Sequence, residues 1–186
     1  KIDVIGIHGQ TLFHDPSIKI SIQLYDKKLK YNTSAPIICN FRKNDILNGG
    51  SGAPIIPIYH QIIANQLKID SSLFINIGGV TNITLIENNQ ISAGDSSYGN
   101  ALINDILNLK TNYDFDLNGN LSKSGKIINS LYDKLLNDKY FKKKLPKSLD
   151  RNYFHQYFKE FKDDFPIEDV LYTLLSVIPE SIDRII

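Results

Sequence analysis

One sequence pattern occurs three times in this chain, in the stretches IHGQT (Ile7–Thr11), NIGGVTN (Asn76–Asn82) and GD (Gly94–Asp95). In each of them a short apolar run leads into glycine and small polar side chains. Turns of this kind after buried strands are where α/β proteins place ligand-binding groups. A glycine pair between two strands is also an ordinary hairpin turn. The occurrence of all three stretches in this order is therefore what indicates a ligand site.

Composition narrows the class of protein. The chain has 186 residues, of which 42% are hydrophobic, and a formal charge of +1, which suits one domain with a core or two lobes. The near-neutral charge argues against a nucleic-acid partner. The single cysteine, Cys39, cannot form an internal disulfide and is expected as a buried thiol in the reducing cytoplasm. No apolar run approaches the roughly 18 residues of a membrane span, so we expect no membrane association.

Both ends of the sequence lie inside apolar patterns. The chain contains no methionine, begins at Lys1 before a strand-like run and ends at Ile186 in a helix-like run. Mature termini are usually polar and frayed. We therefore expect an internal fragment of a longer protein.

Apolar periodicity predicts strands in the first half of the chain and helices in the second. The glycine-rich stretch Gly49–Pro54 is expected as a flexible loop, and Gly78-Gly79 as the turn of a hairpin. Pro179 is expected to kink the last helix, because proline lacks the N–H that a helix needs. The predicted strands are 4–7, 18–24, 37–41, 73–77, 83–86 and 90–93, and the predicted helices are 58–67, 100–109, 127–136, 153–161 and 170–186.

Asp95 and the glycine pair suggest phosphate chemistry. Asp95 is expected at a strand end just before a helix, where a carboxylate can accept a proton from a nucleophile beside a transferred phosphate. A helix-capping or turn aspartate is the alternative. Gly78 and Gly79 allow backbone N–H groups to approach anionic oxygens, and a plain hairpin turn explains them equally well.

Arg42 and the residues around His8 suggest an oxygen-rich ligand. An arginine fork offers fixed, charged donors to carboxylate or phosphate. A surface arginine beside a glycine turn explains Arg42 equally well. His8, with Gln10 and Thr11, is either a polar turn after a strand or part of a site. His14 and His60 show no partners in the sequence and are expected as ordinary histidines.

Together these motifs resemble the anhydro-N-acetylmuramic acid kinases. His8–Thr11 resembles the His-Gly-Gln-Thr string of that family. Phe41-Arg42 followed by Gly49–Pro54 resembles its Asp-Phe-Arg segment and its Gly-Gly-Gln-Gly-Ala-Pro loop. Asn76–Asn82 resembles the hairpin that actin-like and hexokinase-like ATPases place against nucleotide phosphates.

The resemblance implies an α/β protein with an incomplete actin-like ATPase (ribonuclease H-like) fold, in which helices flank mixed β-sheets. Residues 1–70 would end an N-terminal lobe that carries sugar-site loops, and residues 71–186 would start a C-terminal lobe. The site residues that it implies are Asp95 as catalytic base, His8, Gln10, Thr11 and Arg42 for the substrate, and Asn76, Gly78, Gly79 and Asn82 for phosphate.

The resemblance also implies a reaction. The aspartate activates water for attack at the anomeric carbon of 1,6-anhydro-N-acetylmuramic acid, and oxygen-6 of the opening ring takes the γ-phosphoryl of ATP. The products are N-acetylmuramic acid 6-phosphate, an intermediate of peptidoglycan recycling, and ADP. ATP and Mg²⁺ are the implied cofactors, with magnesium neutralising the phosphates and no metal held by protein side chains. A homodimer is one option for the assembly.

Several residues depart from the family pattern. Asn40 replaces the aspartate before Phe-Arg, Ser96–Tyr98 replaces Thr-Gly-Pro, and Asn104 replaces a helix aspartate. Pro146–Asn152 resembles Pro-Lys-Ser-Thr-Gly-Arg-Glu but carries Leu149, Asp150 and Asn152 in the Thr, Gly and Glu positions. A degenerate, non-catalytic remnant or sugar-binding module is therefore the alternative to an active kinase.

Two family elements have no counterpart in this sequence, namely the first phosphate hairpin and the adenosine pocket. We therefore expect the chain alone not to turn over ATP. Lys142–Lys144 with Lys147 is expected as a solvated edge, because short lysine runs usually face water.

Overall fold

The computed structural model describes residues 1–161 and 165–186. These form two compact units, residues 1–59 and residues 60–186. Strands dominate the chain as far as Tyr98 and helices follow, so the mixed α/β class is confirmed. The division into lobes at residues 70 and 71 stays a prediction.

The first unit contains two small sheets. Strands β1 and β4 pair in parallel, and β2 and β3 form an antiparallel ribbon. Two 3₁₀ helices, Pro16–Ile18 and Lys27–Tyr31, precede and follow β3. The bounds are β1 (Ile5–Gly6), β2 (Gln10–Asp15), β3 (Ile20–Leu24), β4 (Ile37–Ile38) and the helix α1 (Arg42–Leu47).

The first unit buries few apolar side chains. Within residues 1–59, the buried aliphatic side chains are those of Ile46 on α1 and Pro57 at the start of the next helix. On the β2–β3 ribbon the pattern is reversed, because apolar residues such as Phe13 and Ile22 are about half exposed while Thr11 and Ser21 are partly buried. The polar face of this ribbon is therefore the one that the unit encloses.

The second unit is a three-stranded antiparallel sheet followed by helices. Its strands are β5 (Ser71–Ile77), β6 (Val80–Glu87) and β7 (Gln90–Tyr98), in the order β5-β6-β7. Its helices are α3 (Asn100–Lys110), α4 (Asn129–Leu136) and α5 (Ile167–Asp183), and α2 (Pro57–Leu67) begins in the last residues of the first unit. Short 3₁₀ helices occupy Leu117–Gly119, Ser122–Ser124, Lys139–Lys142 and Tyr153–Glu160.

The two faces of the sheet have different roles. Ile83 belongs to the main hydrophobic core, which α3, α4 and α5 complete with leucine, valine and isoleucine side chains. On the opposite face, His60 of α2 stacks on Phe74 at 4.2 Å and bonds Thr84 Oγ1 at 3.0 Å. Helix α2 therefore packs, at Phe74 and Thr84, on the same face that carries Asn76 and Asn82, since residues two apart in a strand share a face.

Some elements differ from the sequence-based expectations. Gln10 and Thr11 lie in β2, and Arg42 begins a helix that the sequence did not suggest. Asp95 lies inside β7 rather than at its end, because this strand continues to Tyr98. The segment 153–161 is mainly a 3₁₀ helix, and α5 runs through Pro179 as one helix.

The predicted hairpin of β5 and β6 around Gly78-Gly79 is confirmed. In the parts of the chain that the structure describes, no helix combines the length and apolar character needed to cross a membrane.

Candidate functional site

A row of three polar residues crosses the sheet of the second unit. Asn76 on β5 pairs with Asn82 on β6, and Asn82 pairs with Asp95 on β7. Directly paired residues in antiparallel strands present their side chains on one face, and Asn76 Nδ2 donates to Asn82 Oδ1 at 3.3 Å. Three of the predicted site residues therefore lie side by side.

A β-bulge follows Asp95. Thr81 pairs with Ser97 and Asn82 with Asp95, which leaves Ser96 as an extra residue in β7. The buried Ser96 hydroxyl donates to the Thr81 carbonyl at 3.3 Å. Bulges change the direction of neighbouring side chains and are frequent beside active sites. The bulge at Ser96 therefore affects the direction in which the Asp95 side chain points.

The segment formed by residues 145–149 lies along the outer edge of β7 and holds Asp95. The Asp95 N–H donates to the Lys147 carbonyl at 2.8 Å, and the Leu149 N–H donates to Asp95 Oδ2 at 2.7 Å. Asp95 Oδ1 has no hydrogen-bond partner among the described residues. Burial raises the pKa of Asp95, and the Leu149 N–H and the Lys147 charge oppose that rise. One oxygen is thus anchored and the other is available to a ligand.

The glycine turn is joined to the start of α3. The Gly99 and Ala101 N–H groups donate to the Gly79 carbonyl at 3.0 and 3.2 Å, and the Asn100 N–H donates to the Gly78 carbonyl at 2.8 Å. These bonds satisfy N–H groups that a helix start leaves without partners. The exposed Gly79 N–H itself has no acceptor among the described residues, so it remains available to an anion.

The fold does not need glycine at both positions of the turn. Neither Gly78 nor Gly79 has a left-handed backbone. A Cβ at Gly79 would meet only Ala101 Cβ, at 3.4 Å, and one at Gly78 would make ordinary contacts at 3.5 Å. At Gly99, by contrast, a Cβ would collide with the Gly78 carbonyl oxygen. Packing therefore explains Gly99 but not Gly79, whose missing side chain leaves room for a ligand.

In the first unit, Arg42 contacts His8. Arg42 Nη2 donates to His8 Nε2 at 3.3 Å, and His8 Nδ1 bonds the Gly9 carbonyl at 2.9 Å. Because arginine only donates, these contacts place the His8 proton on Nδ1. Arg42 Nε is buried without a hydrogen-bond partner, and burial lowers the pKa of the guanidinium. No carboxylate of the described residues forms an ion pair with Arg42, so the cation lacks an anion.

The ribbon adds polar groups beside Arg42 that sequence reasoning missed. His14 Nδ1 bonds Ser21 Oγ at 2.9 Å, and Gln23 Nε2 donates to the same oxygen at 2.6 Å. Burial and the Arg42 charge lower the pKa of His14. Thr11 pairs directly with Gln23 and therefore shares its face. His14 is thus not an isolated histidine but part of a polar cluster with Thr11 and Arg42.

The predicted glycine loop packs on α1. Asp45 Oδ2 accepts from the Gly52 N–H at 2.6 Å, and the Gly50 N–H donates to the Asp45 carbonyl at 2.8 Å. Gly52 has φ +67°, and a Cβ there would meet the Ile46 side chain at 2.6 Å. The loop is therefore held beside Arg42 by specific hydrogen bonds, and its flexibility stays a prediction.

Two departures from the family pattern have a structural explanation. Asn40, with φ +57°, adopts the left-handed conformation that asparagine tolerates better than most residues. Tyr98 is 2% exposed, donates from its hydroxyl to the Leu174 carbonyl at 2.9 Å and packs edge-on against Phe154. The bulky Tyr98 is therefore a core residue.

Lys147 contradicts the expectation of a solvated lysine edge. Its ammonium lies 4.6 Å from the centre of the Tyr140 ring, and Tyr140 donates from its hydroxyl to the Asp95 carbonyl at 2.6 Å. Burial lowers the pKa of Lys147. Lys142–Lys144 are exposed, as expected. The resemblance of Pro146–Ser148 to a family motif is the sequence signal that distinguishes Lys147 from them, and the sequence-based expectation did not use it.

Metal binding by side chains alone has no counterpart in the described residues. Within 1–161 and 165–186, no three His, Cys, Asp or Glu side chains come close enough together to hold an ion.

The described residues of this α/β protein thus form two polar clusters, one around Arg42 in the first unit and one around Asp95 in the second. The family model for anhydro-N-acetylmuramic acid kinase matches residues 1–185. The chain therefore belongs to the anhydro-N-acetylmuramic acid kinase family.

Curated relatives with that name agree with this assignment. The relative from Rhodopseudomonas palustris is 39% identical over 156 residues, which cover 82% of this chain and 42% of the relative. Those from Rhizobium johnstonii and Legionella pneumophila are 35% and 36% identical, cover 97% and 98% of the chain, and are themselves covered to 49% and 51%. The chain spans about half the length of the curated relatives it matches.

The contrast between the glycines gives a test of the turn. Gly99→Ala should lower the free energy of unfolding by about 2 kcal/mol, because the new methyl group collides with a fixed carbonyl. Gly79→Ala should change it by less than about 0.5 kcal/mol, as at an uncrowded surface position. Urea unfolding of the chain measures both values, and equal losses would contradict the packing argument.

Proposed function

We propose that the protein containing this chain is an ATP-dependent kinase of 1,6-anhydro-N-acetylmuramic acid. It opens the anhydro ring with water and phosphorylates oxygen-6, which yields N-acetylmuramic acid 6-phosphate and ADP for peptidoglycan recycling. The observation that carries the proposal is Asp95, a partly buried carboxylate with one anchored and one free oxygen. In this proposal the fold of the whole protein is actin-like.

Asp95 acts as the general base. Its Oδ1 takes a proton from water as the water oxygen bonds to the anomeric carbon, and the bond from that carbon to oxygen-6 breaks. Oxygen-6 then bonds to the γ-phosphorus, and ADP leaves with the electrons of the broken P–O bond. The raised pKa supports this role, because a base with a pKa closer to neutrality accepts a proton more readily.

The glycine turn binds phosphate. Its free Gly79 N–H and the open space beside Gly79 allow close approach of an anionic oxygen, and the amides of Asn76 and Asn82 add donors on the same sheet. Magnesium enters as part of the substrate MgATP, in which it neutralises phosphate charge.

Arg42 binds the lactyl carboxylate of the sugar in this proposal. It shares the first unit with Thr11, which the resemblance assigns to the sugar, and its buried Nε lacks a partner. Gln10 and His8 lie on either side of Gly9, which has φ +73° and where a Cβ would lie 2.6 Å from the Leu24 carbonyl oxygen, so glycine is required there. Thr11, His8 and Gln10 then position the sugar ring.

The alternative of a degenerate sugar-binding remnant rests on the substituted residues. Those substitutions lie near Arg42, Asp95 and Arg151, and the bulkiest of them, Tyr98, is fully integrated into the core. The kinase is therefore the function that we prefer.

Replacement of the base tests the kinase directly. In the full-length protein, Asp95→Asn should lower kcat by roughly 10²- to 10⁴-fold, because the amide cannot accept the proton. Its oxygen can still accept from the Leu149 N–H, so sugar affinity should change little. Sugar-dependent ADP release measures the rate, with exposed Asp133→Asn on α4 as control. Unchanged turnover in Asp95→Asn would refute the role of base.

The expectation that residues 1–186 alone are inactive has its own test. Sugar-dependent ADP release by this chain would refute it.

Two sugars distinguish the acceptors of Arg42. Arg42→Gln should weaken binding of 1,6-anhydro-N-acetylmuramic acid roughly 10- to 100-fold, the effect of losing a hydrogen bond to a charged group. It should hardly affect 1,6-anhydro-N-acetylglucosamine, which lacks the lactyl group. Calorimetric titration measures both, with neighbouring Lys43→Gln as control. Equal losses for both sugars, with a raised KM for ATP, would assign Arg42 to phosphate instead.

A further inference from the structure

The segment 145–149 does more than cover the edge of β7. A Cβ at Gly94 would lie 2.5 Å from the Lys147 carbonyl oxygen and 2.9 Å from Leu145 Cδ2, so this segment packs against the bare backbone beside Asp95. Two hydrogen bonds then fix Asp95 between Lys147 and Leu149. The position of the segment and the position of the carboxylate are therefore linked.

Residues within this segment and just after it are bonded to neighbouring elements. On one side, Lys147 Nζ donates to the Tyr140 carbonyl at 3.4 Å and lies over the Tyr140 ring. On the other side, Arg151 Nη2 donates to Asp105 Oδ1 on α3 at 2.9 Å, and His155 Nε2 bonds Asp105 Oδ2 at 2.9 Å. The lysine stem is thus held in place by an aromatic face, at a cation–π distance.

Tyr140 is itself held in place by the Asp138 carboxylate. Its N–H donates to the buried Asp138 carboxylate at 2.7 Å, and Tyr153 and Tyr157 donate their hydroxyls to the same carboxylate. The Tyr140 hydroxyl is used by the Asp95 backbone carbonyl. It therefore contributes no hydrogen bond to the Asp95 side chain.

The groups that face the Asp95 carboxylate can be named. Tyr140 and Lys147 are the titratable residues beside it, and Lys143 acts on Lys147 from the same side. On β6, the residue paired with Asp95 is the neutral Asn82. His60 of α2, on the same face of the sheet, is bonded to Thr84. Lys147 is the positive charge among these groups that acts on Asp95.

We propose that Lys147 is a positioning residue for the reaction, whose ammonium, held on the Tyr140 ring, keeps the half-buried Asp95 carboxylate ionised between turnovers. A buried carboxylate without such compensation tends to take up a proton, and a protonated Asp95 cannot serve as a base. The description of Asp95 as a base rests on the proposed function. The electrostatic coupling between Lys147 and Asp95 does not depend on it.

The coupling is measured by carbon-13 NMR of the Asp95 carboxyl in the chain 1–186 during a pH titration. Lys147→Met should move the Asp95 midpoint to higher pH, and Lys147→Arg should restore it, because the arginine retains the charge. Lys144→Met, which removes an exposed charge three residues away, should leave the midpoint in place. The hydrogen-exchange rate of the Leu149 amide should be equal in all variants. A purely structural role of Lys147 would instead change this rate in Lys147→Met.

A second measurement needs no substitution. In the unmodified chain the Lys147 Cε resonance should show a step at the same midpoint as Asp95, because coupled groups sense each other's titration. An unchanged Asp95 midpoint in folded Lys147→Met, or the absence of that step, overturns the proposal. Neither experiment involves turnover, so a negative result in the kinase assays does not change how these titrations are interpreted.

Discussion

The partial burial of one carboxylate is the constraint on which the second unit depends. Removing Asp95 from water carries a cost that only nearby donors and positive charge can offset. The edge segment supplies both, through the Leu149 N–H and the Lys147 ammonium. An aspartate that served only as a turn residue would not need this arrangement. The cost of burying Asp95 is therefore the clearest physical sign of function in the chain.

The glycine turn and α3 form the second element of the site. The carbonyls of Gly78 and Gly79 bond the first N–H groups of the helix, so the carbonyls face the protein. The Gly79 N–H is left exposed. A polar row of Asn76, Asn82 and Asp95 lies on the adjoining strands, so the sheet brings a carboxylate and two side-chain amides together on one face.

Much of this arrangement could be predicted from the sequence. The hairpin and the helix start at Asn100 follow from local patterns, because turn glycines and apolar periodicity act over a few residues. Alternation likewise identified the strand that carries Ser21 and Gln23. The cluster residues named from the family resemblance lie where ligand groups are expected, although their roles remain proposals.

The features that sequence reasoning missed depend on register or on distant contacts. The pairing of Thr11 with Gln23 and the bulge at Ser96 are set by how strands align, which a single sequence does not specify. The contact of Lys147 with Asp95 joins residues far apart in the chain. His14 was set aside for the same reason, because its partners Ser21 and Arg42 lie on other elements.

The central claim is that the sheet surface formed by Asn76, Asn82 and Asp95 with the Gly78-Gly79 turn binds phosphate. The most direct test is a nitrogen-15 NMR titration of residues 1–186 with MgATP. The account predicts that the Gly79 amide and the side-chain amide of Asn82 shift most, and that Gly79→Ala abolishes these shifts in a folded chain. Shifts confined to other surfaces, or an unaltered response in Gly79→Ala, would contradict it.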